Sequence, residues 1–189
     1  MQTATTVHFP QAGQDNTEAT LHIAKARADE LGINTIIVAT TRGSTGVRAA
    51  EVFAGRRLIV VTHFTGYKEP NSQELLPEHR ERIQALGGVI LTSTSPFIAI
   101  GRALRRKHQT MALEDIIANS LRIVGIGIKV VCEVACMAAD AGLARTDEEA
   151  IAISGTGRGA DTAVVLRPVN SFDFFDLRIS EILCRPRLK

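Results

Sequence analysis

The apolar residues of this chain follow two patterns, short uninterrupted runs and longer stretches with helical spacing. The runs are rich in Ile and Val and are apolar at consecutive positions, which is typical of strands buried on both faces of a parallel sheet. A further segment, residues 177–184, alternates between apolar and polar side chains and is typical of an edge strand. The pattern thus predicts six strands, the other five at 35–39, 58–62, 89–92, 150–154 and 162–166.

Helical spacing fills most of the gaps between the strands. The clearest apolar stripe predicts a helix over 16–31, which Asn16 or Asp15 can cap. From residue 95 to residue 145 no strand pattern occurs, and the spacing predicts an insert of three helices. Other helices are predicted at 44–53 and 78–86, with a long loop over 63–77 and a short turn or helix at 172–175.

This alternation of helices and buried strands predicts an α/β sandwich around a mixed, mostly parallel sheet. The loop 155–161 is too short for a parallel crossover, so the strands on either side of it must pair antiparallel. A length of 189 residues suits one domain spanning residues 1–189, with the helical insert at about 95–145.

Charge and composition exclude several classes of partner. The net charge is only +2 and aromatic residues make up 4%, so neither nucleic acid nor a membrane surface is an expected partner. No apolar run approaches the ~20 residues of a membrane span, and the start of the chain lacks a signal-peptide pattern. Three cysteines without framework spacing suggest reduced thiols and a cytoplasmic protein. The helical insert and an edge strand offer surfaces for a homodimer.

The strongest candidate site is the strand-to-helix junction 40–46, with the sequence Thr-Thr-Arg-Gly-Ser-Thr-Gly. Free backbone N–H groups and the helix dipole converge at such a junction, and its hydroxyls and Arg42 add donors for a phosphate. Gly43 and Gly46 would let the anion approach the backbone. The alternative is that Ser44 merely caps the helix. The segment is not a Walker loop, because no Gly-Lys-Ser/Thr follows.

A second candidate is the glycine-rich segment 154–162. Its glycines fit the dinucleotide fingerprint, but a strand follows where that motif requires a helix, so a Rossmann site is not expected. In a hairpin, Thr156 and Arg158 could contact a ligand at the sheet edge. The alternative, a hairpin without a binding role, stays equally open.

A third candidate follows the strand at 58–62. Phe64 and Tyr67 could bracket a flat ring, and His63 is the best-placed of the five histidines for proton transfer. No carboxylate partner for His63 can be identified from the sequence, so an ordinary loop histidine is the alternative.

The helix predicted after residue 125 carries two pairs of chemically notable residues. Cys132 and Cys136 are expected to be buried, reduced and metal-free, and no metal site is expected elsewhere. Lys129 and Glu133 are expected to form a structural pair at i, i+4, the alternative being that one of them faces a ligand cleft or a subunit contact. No catalytic constellation is recognisable, which leaves open whether the protein is an enzyme.

Taken together, these segments resemble the stand-alone proteins similar to the pyruvate kinase C-terminal (alpha/beta) domain of archaea and bacteria. The resemblance runs from Asn16 to Arg187 and is carried by four motifs, at 39–45, 60–66, 158–165 and 174–187. It implies a three-layer α/β/α fold with a five-stranded mixed sheet whose last strand is antiparallel. It also implies that no pyruvate kinase activity is to be expected, because the catalytic barrel has no counterpart in 189 residues.

The resemblance further implies a phosphorylated ligand at the loop 40–46. For the stand-alone proteins that ligand is flavin mononucleotide (FMN), with a redox role as a further expectation. In pyruvate kinase itself the corresponding loop holds a sugar-phosphate effector, so a regulatory module that senses a sugar phosphate is the alternative. The residues expected to contact the ligand are Thr40, Thr41, Arg42, Gly43, Ser44, Thr45, Gly46, Thr62, His63, Phe64, Gly66, Gly155, Thr156, Arg158, Gly159 and Asp161.

Overall fold

The structure is a computed structural model that describes residues 4–187. Its centre is a seven-stranded sheet in the order β1-β7-β6-β5-β2-β3-β4. The strands are β1 Val7–Phe9, β2 Thr35–Ala39, β3 Arg57–Thr62, β4 Val89–Thr92, β5 Ala150–Ser154, β6 Thr162–Arg167 and β7 Arg178–Pro186. The helices are α1 Thr17–Leu31, α2 Ser44–Val52, α3 Pro77–Ala85, α4 Ala99–His108, α5 Leu113–Arg122 and α6 Ile126–Asp140, with 3₁₀ turns at Gln14–Asn16 and Ser171–Asp176.

The pairing of the strands makes the sheet mixed and mostly parallel, as the sequence predicts. Strands β5, β2, β3 and β4 are parallel neighbours. Strand β6 runs antiparallel to β5, and the last strand, β7, pairs antiparallel with β6. The antiparallel pair predicted around the loop 155–161 is therefore confirmed.

Helices cover both faces of the sheet, which confirms the three-layer α/β/α architecture. On one face α1, α2 and α3 bury residues such as Leu21, Phe53 and Ile83 against the strands. On the other face α6 packs residues such as Val131 and Ala135, with α5 beside it. Residues 95–145 form three helices and no strand, as predicted for the insert. In residues 4–187 no helix has both the length and the apolar character needed to cross a membrane.

Three details of the fold differ from the expectations. The sheet has seven strands rather than the five implied by the resemblance or the six predicted from the pattern, because β1 and β7 extend it. The segment 177–184 is not an edge strand, since β1 pairs with it in parallel and becomes the edge. Asn16 does not cap α1: its side-chain amide instead donates to the carbonyl oxygen of Gln11 at 2.8 Å.

Candidate functional site

The carboxyl ends of the parallel strands form the floor of a cavity of about 1160 Å³. The cavity lies outside β5 and β2, where the strand order changes direction, which is the usual ligand position in an open α/β sheet. Helices α1, α2 and α6 begin at this same edge and contribute first-turn residues to the wall. Because three helices begin here, their dipoles place partial positive charge at this edge of the sheet.

The junction 40–46 forms one end of this cavity. Thr40, Thr41, Arg42, Ser44 and Thr45 line it, as the sequence predicts for a binding loop. The N–H of Gly43 donates to the Thr40 hydroxyl at 3.2 Å. The next N–H groups belong to the first turn of α2 and have no partner within the helix.

The alternative role of Ser44 as a helix cap is excluded by the geometry. Gly43 occupies the cap position with a φ of 107°, and Ser44 is the first residue of α2. No side chain of the described residues caps this helix. The N-terminal donors of α2 are thus left to solvent or to a ligand.

Two arginines supply positive charge to the cavity. Arg42 and Arg158 both line it, and neither has an ion-pair partner within residues 4–187. Arg48 also lines the wall, but Glu18 binds its guanidinium at 2.8 Å and Glu51 at 3.0 Å. The charge available to an anion therefore comes from Arg42 and Arg158.

Gly43 and Gly46 do not line the cavity, and the structure gives both a packing role. A Cβ atom on Gly46 would lie 2.8 Å from Val60 and 2.9 Å from Ile83, so this glycine lets α2 lie close to the sheet. A Cβ atom on Gly43 would overlap His79 of α3. Close packing thus accounts for both glycines without a ligand, and their expected role in admitting an anion to the backbone stays a prediction.

Of the residues in the glycine hairpin that were expected to contact a ligand, only some line the cavity. Gly155, Arg158 and Gly159 line the cavity, whereas Thr156 and Asp161 do not. The buried carboxylate of Asp161 accepts hydrogen bonds from the N–H groups of Gly13 (2.9 Å) and Thr156 (3.0 Å) and from the Thr162 hydroxyl (2.8 Å). Asp161 is thus a structural residue that ties the hairpin to the loop before α1.

His63 has the carboxylate partner that the sequence did not reveal. Its Nδ1 lies 2.7 Å from Oε2 of Glu74, whose other oxygen lies 2.9 Å from the Lys68 ammonium. Burial alone would raise the pKa of Glu74, but hydrogen bonds from His63 and Lys68 outweigh it and hold that pKa below its ordinary value. All three side chains line the cavity, so it contains a histidine oriented by a carboxylate.

The aromatic residues near His63 are arranged differently from the expected ring clamp. Tyr67 stacks on His63 with ring centroids 3.9 Å apart, and Phe64 meets Tyr67 edge-on at 75°. Phe64 and Tyr67 therefore do not form two parallel plates. Thr62 lines the cavity and shares a 2.8 Å hydrogen bond with Thr92, whereas Gly66 lies in a turn away from the wall.

Helix α6 forms another wall of the cavity with a stripe of mostly apolar side chains that the sequence analysis did not propose as part of a site. Its members share one helix face and line the cavity: Ile126, Lys129, Val130, Glu133, Val134 and Met137. Lys129 and Glu133 form the expected ion pair, and Ser95 donates its hydroxyl to Glu133. The pair is thus shielded from bulk solvent and also lines the cavity. Both expected alternatives, a structural ion pair and a residue that faces a cleft, therefore apply in part. The i, i+4 spacing of two charged residues on an otherwise apolar helix is the sequence feature that indicated this ion pair.

The cysteines of α6 are chemically protected. Cys132 and Cys136 are free and buried, and burial raises the pKa of each thiol to about 12. Their burial confirms the prediction from the sequence. Within the described residues, no group of three or more His, Cys, Asp or Glu side chains is arranged to hold a metal ion.

Comparison with known proteins places this fold in a family. The chain matches the family model described as pyruvate kinase, alpha/beta domain, over residues 18–166, which is more than half of its length. It is also similar to the crystal structure of a pyruvate kinase from Cryptosporidium parvum, with a TM-score of 0.42 and 16% sequence identity over 81% of this chain and 23% of that one. The chain thus spans about a quarter of the length of that enzyme. The residues matched show that the chain belongs to the pyruvate kinase alpha/beta domain family.

Proposed function

We propose that this protein binds a phosphorylated ligand, with the phosphate at the loop 40–46 and FMN as the ligand. One observation carries the proposal: the uncapped N-terminus of α2 and the arginines 42 and 158, without ion-pair partners in residues 4–187, line the same cavity. Backbone N–H groups at a helix start and guanidinium groups are the donors that proteins use for phosphate.

The rest of the cavity favours FMN over a sugar phosphate. A volume of about 1160 Å³ exceeds the ~300–1,000 Å³ of common ligand pockets and leaves room beyond the phosphate for a three-ring group. The wall at α6 offers Val130, Val134 and Met137, whose apolar surface suits a flat ring. A sugar phosphate has no apolar part to cover this surface. When bound, FMN would supply one- and two-electron redox chemistry.

The experiment compares two substitutions at Ser44. Ser44→Ala removes one hydrogen bond to a charged group, and FMN affinity is expected to fall by ~1.5–3 kcal/mol. Ser44→Asp places a carboxylate at the phosphate position, so FMN binding is expected to be lost. An acidic residue in the first turn of α2 favours the helix dipole, so the melting temperature is expected to change little. Fluorescence titration and thermal melts measure the two effects separately.

Riboflavin provides the matched control, because it has the ring system of FMN without the phosphate. It is expected to bind more weakly than FMN to the natural protein and to be much less sensitive to Ser44→Asp. Equal affinity for riboflavin and FMN, or normal FMN binding by Ser44→Asp, would place the phosphate elsewhere. A protein that binds ribose 5-phosphate but no flavin would favour the sugar-phosphate alternative.

We also propose that the protein is a cytoplasmic homodimer. All three cysteines are free and buried, which suits a reducing compartment. The helical insert exposes large apolar residues on α4 and α5, and a second copy of the chain could cover them.

A further inference from the structure

Two charged residues lie in the apolar wall that α6 presents to the cavity. Lys129 is 6% exposed and Glu133 is 5% exposed. The Lys129 ammonium pairs with one oxygen of Glu133, and the Ser95 hydroxyl donates to the other. The N–H of Phe97 donates to the Ser95 oxygen at 3.1 Å, which fixes the position of that hydroxyl. The orientation of the carboxylate is therefore set from both sides.

A buried ion pair of this kind contributes little to the stability of the folded protein. Desolvation of both charges offsets their attraction, and replacement of such a pair by apolar residues is often neutral or stabilising. The neighbouring positions on this helix face are already apolar, so an apolar pair would continue the packing. The presence of the charges at the cavity wall therefore points to recognition of a ligand.

The pair also retains capacity for further hydrogen bonds. A lysine ammonium has three donors, and Glu133 is its one ion-pair partner among residues 4–187. A carboxylate has about four acceptor sites, of which Lys129 and Ser95 occupy two. Side by side, the two residues can offer a donor and an acceptor to the same planar group.

We propose that Lys129 and Glu133 recognise the end of the ligand remote from the phosphate, through a planar edge in which a carbonyl oxygen lies next to an N–H, as in a cyclic imide. This inference rests on the proposed function, because it concerns the ligand bound in the same cavity. Lys129 donates to the carbonyl oxygen and Glu133 accepts from the N–H. Val130 and Val134 pack against the ring that carries this edge. In FMN the matching edge is the pyrimidine part of the ring system.

The test combines a modified ligand with a modified protein. N3-methyl-FMN keeps the phosphate and the ring but lacks the imide N–H. The natural protein is expected to bind it about 10- to 100-fold more weakly than FMN, because one hydrogen bond to a charged group is lost. In the variant K129M/E133L, FMN affinity is expected to fall by a similar factor, and the preference for FMN over its methylated form is expected to disappear. A purely structural pair would leave that preference unchanged.

The matched control is K25M, which breaks the exposed Lys25–Asp29 pair with the same i, i+4 spacing on α1, away from the cavity, and leaves the contact of Asp29 with Arg56 in place. It is expected to keep both affinities within about twofold of the natural protein. Thermal melts are expected to show K129M/E133L at least as stable as the natural protein.

The outcomes separate this inference from the proposed function. Unchanged FMN affinity and preference in folded K129M/E133L would overturn the inference and leave the phosphate site standing. Should that variant fail to fold, equal affinity of the natural protein for FMN and N3-methyl-FMN overturns the inference by itself. A natural protein that binds neither compound would overturn both proposals.

Discussion

Asp161 stabilises the fold by holding three donors around one fully buried carboxylate. Its replacement by alanine leaves the N–H groups of Gly13 and Thr156 and the Thr162 hydroxyl without their acceptor. Asp161→Ala is expected to lower the free energy of unfolding by ~2–4 kcal/mol, because the buried Thr162 hydroxyl left without an acceptor costs about 1–3 kcal/mol, and the partly buried N–H groups of Gly13 and Thr156, which water can reach, cost less. Urea unfolding measures this loss. Asp173→Ala, at an exposed aspartate, is the control, and an equal loss in both variants would contradict the structural role.

Gly46 is expected to be intolerant of a methyl group. In an ordinary helix Gly→Ala stabilises by roughly 0.5–1 kcal/mol, but here the added Cβ meets Val60 and Ile83 at less than 3 Å. Gly46→Ala is therefore expected to destabilise the protein by ~1–3 kcal/mol. Thermal unfolding provides the measurement, with the exposed Gln84→Ala on α3 as the neutral control. A rise in the melting temperature would show that α2 can move away from the sheet at no cost.

The Glu74 carboxylate is expected to make stability depend on pH. Its pKa is lowered in the folded protein, so its contribution is present above the unfolded pKa and is lost as the pH falls through the folded pKa. Glu74→Gln is expected to melt below the natural protein near neutral pH, and the difference is expected to shrink as the pH falls below 4.5, the ordinary pKa of a glutamate. Melting curves of both proteins across this range test the sign. A difference that grows on acidification would contradict it.

The residues of the site differ in how far the sequence could reveal them. Thr40, Thr41 and Ser44 lie within five residues of one strand-to-helix junction, so local pattern was enough to propose them. Glu74 lies 11 residues from His63 within a loop that has no periodicity, and only the folded loop brings the two together. The packing role of Gly46 was not predicted because the need for a small residue comes from α3 and β3, which lie outside its own motif.

At the scale of elements, α6 is largely buried and also forms one wall of the site. Its cysteines are expected to resist thiol reagents, because the pKa of Cys132 and Cys136 is raised to about 12 and the reactive thiolate is scarce at neutral pH. Labelling with a chromogenic disulfide is expected to be slow in the folded protein and complete for all three cysteines in denaturant. Rapid labelling of the folded protein would show that α6 opens locally. Elemental analysis is expected to find no stoichiometric zinc.

The elements with strong periodic patterns were predicted within about two residues, and the short turn or helix predicted at 172–175 is present, whereas the three-residue strand β1 was not predicted. Strands β2, β3, β5 and β6 are largely buried apolar runs, so their sequences reflect their surroundings directly, whereas β4 is a partly exposed edge of the sheet. Strand β1 has three residues, of which only Phe9 is buried, and it exists because β7 pairs with it from the far end of the chain. A pairing between such distant segments leaves no local signal, which is why 177–184 was taken for an edge.

At the scale of the whole molecule, the two layers of helices contribute different kinds of residues to the cavity. The layer of α1 and α2 brings two helix N-termini and the arginine-bearing loops to the sheet edge, whereas α6 brings the apolar stripe and the Lys129–Glu133 pair. The cavity between them is thus polar on one side and mainly apolar on the other. This division is the reason for proposing a ligand with a phosphate at one end and a flat ring at the other.

The helical insert also gives the molecule its main uncovered apolar surface. Eight of the twelve exposed large apolar side chains in residues 4–187 lie there: Ile100, Leu104, Met111, Leu113, Ile116, Ile123, Val124 and Ile126. Because patches of this kind are rarely left open on a monomer, the protein is expected to sediment at twice its chain mass of 20.4 kDa.

Substitution of this surface tests where the dimer forms. Ile116→Glu and Ile123→Glu each place a charge on a side chain that is at least half exposed, so folding is expected to be unaffected. In a dimer the same charge would be buried without a partner, and each variant is expected to sediment as a monomer.

Phe172→Glu, at an exposed phenylalanine outside the insert, is the control and is expected to remain dimeric. Sedimentation equilibrium across a range of concentrations decides between these results. A natural protein that is monomeric throughout would contradict the dimer, and dissociation by Phe172→Glu alone would move the interface to the opposite end of the chain.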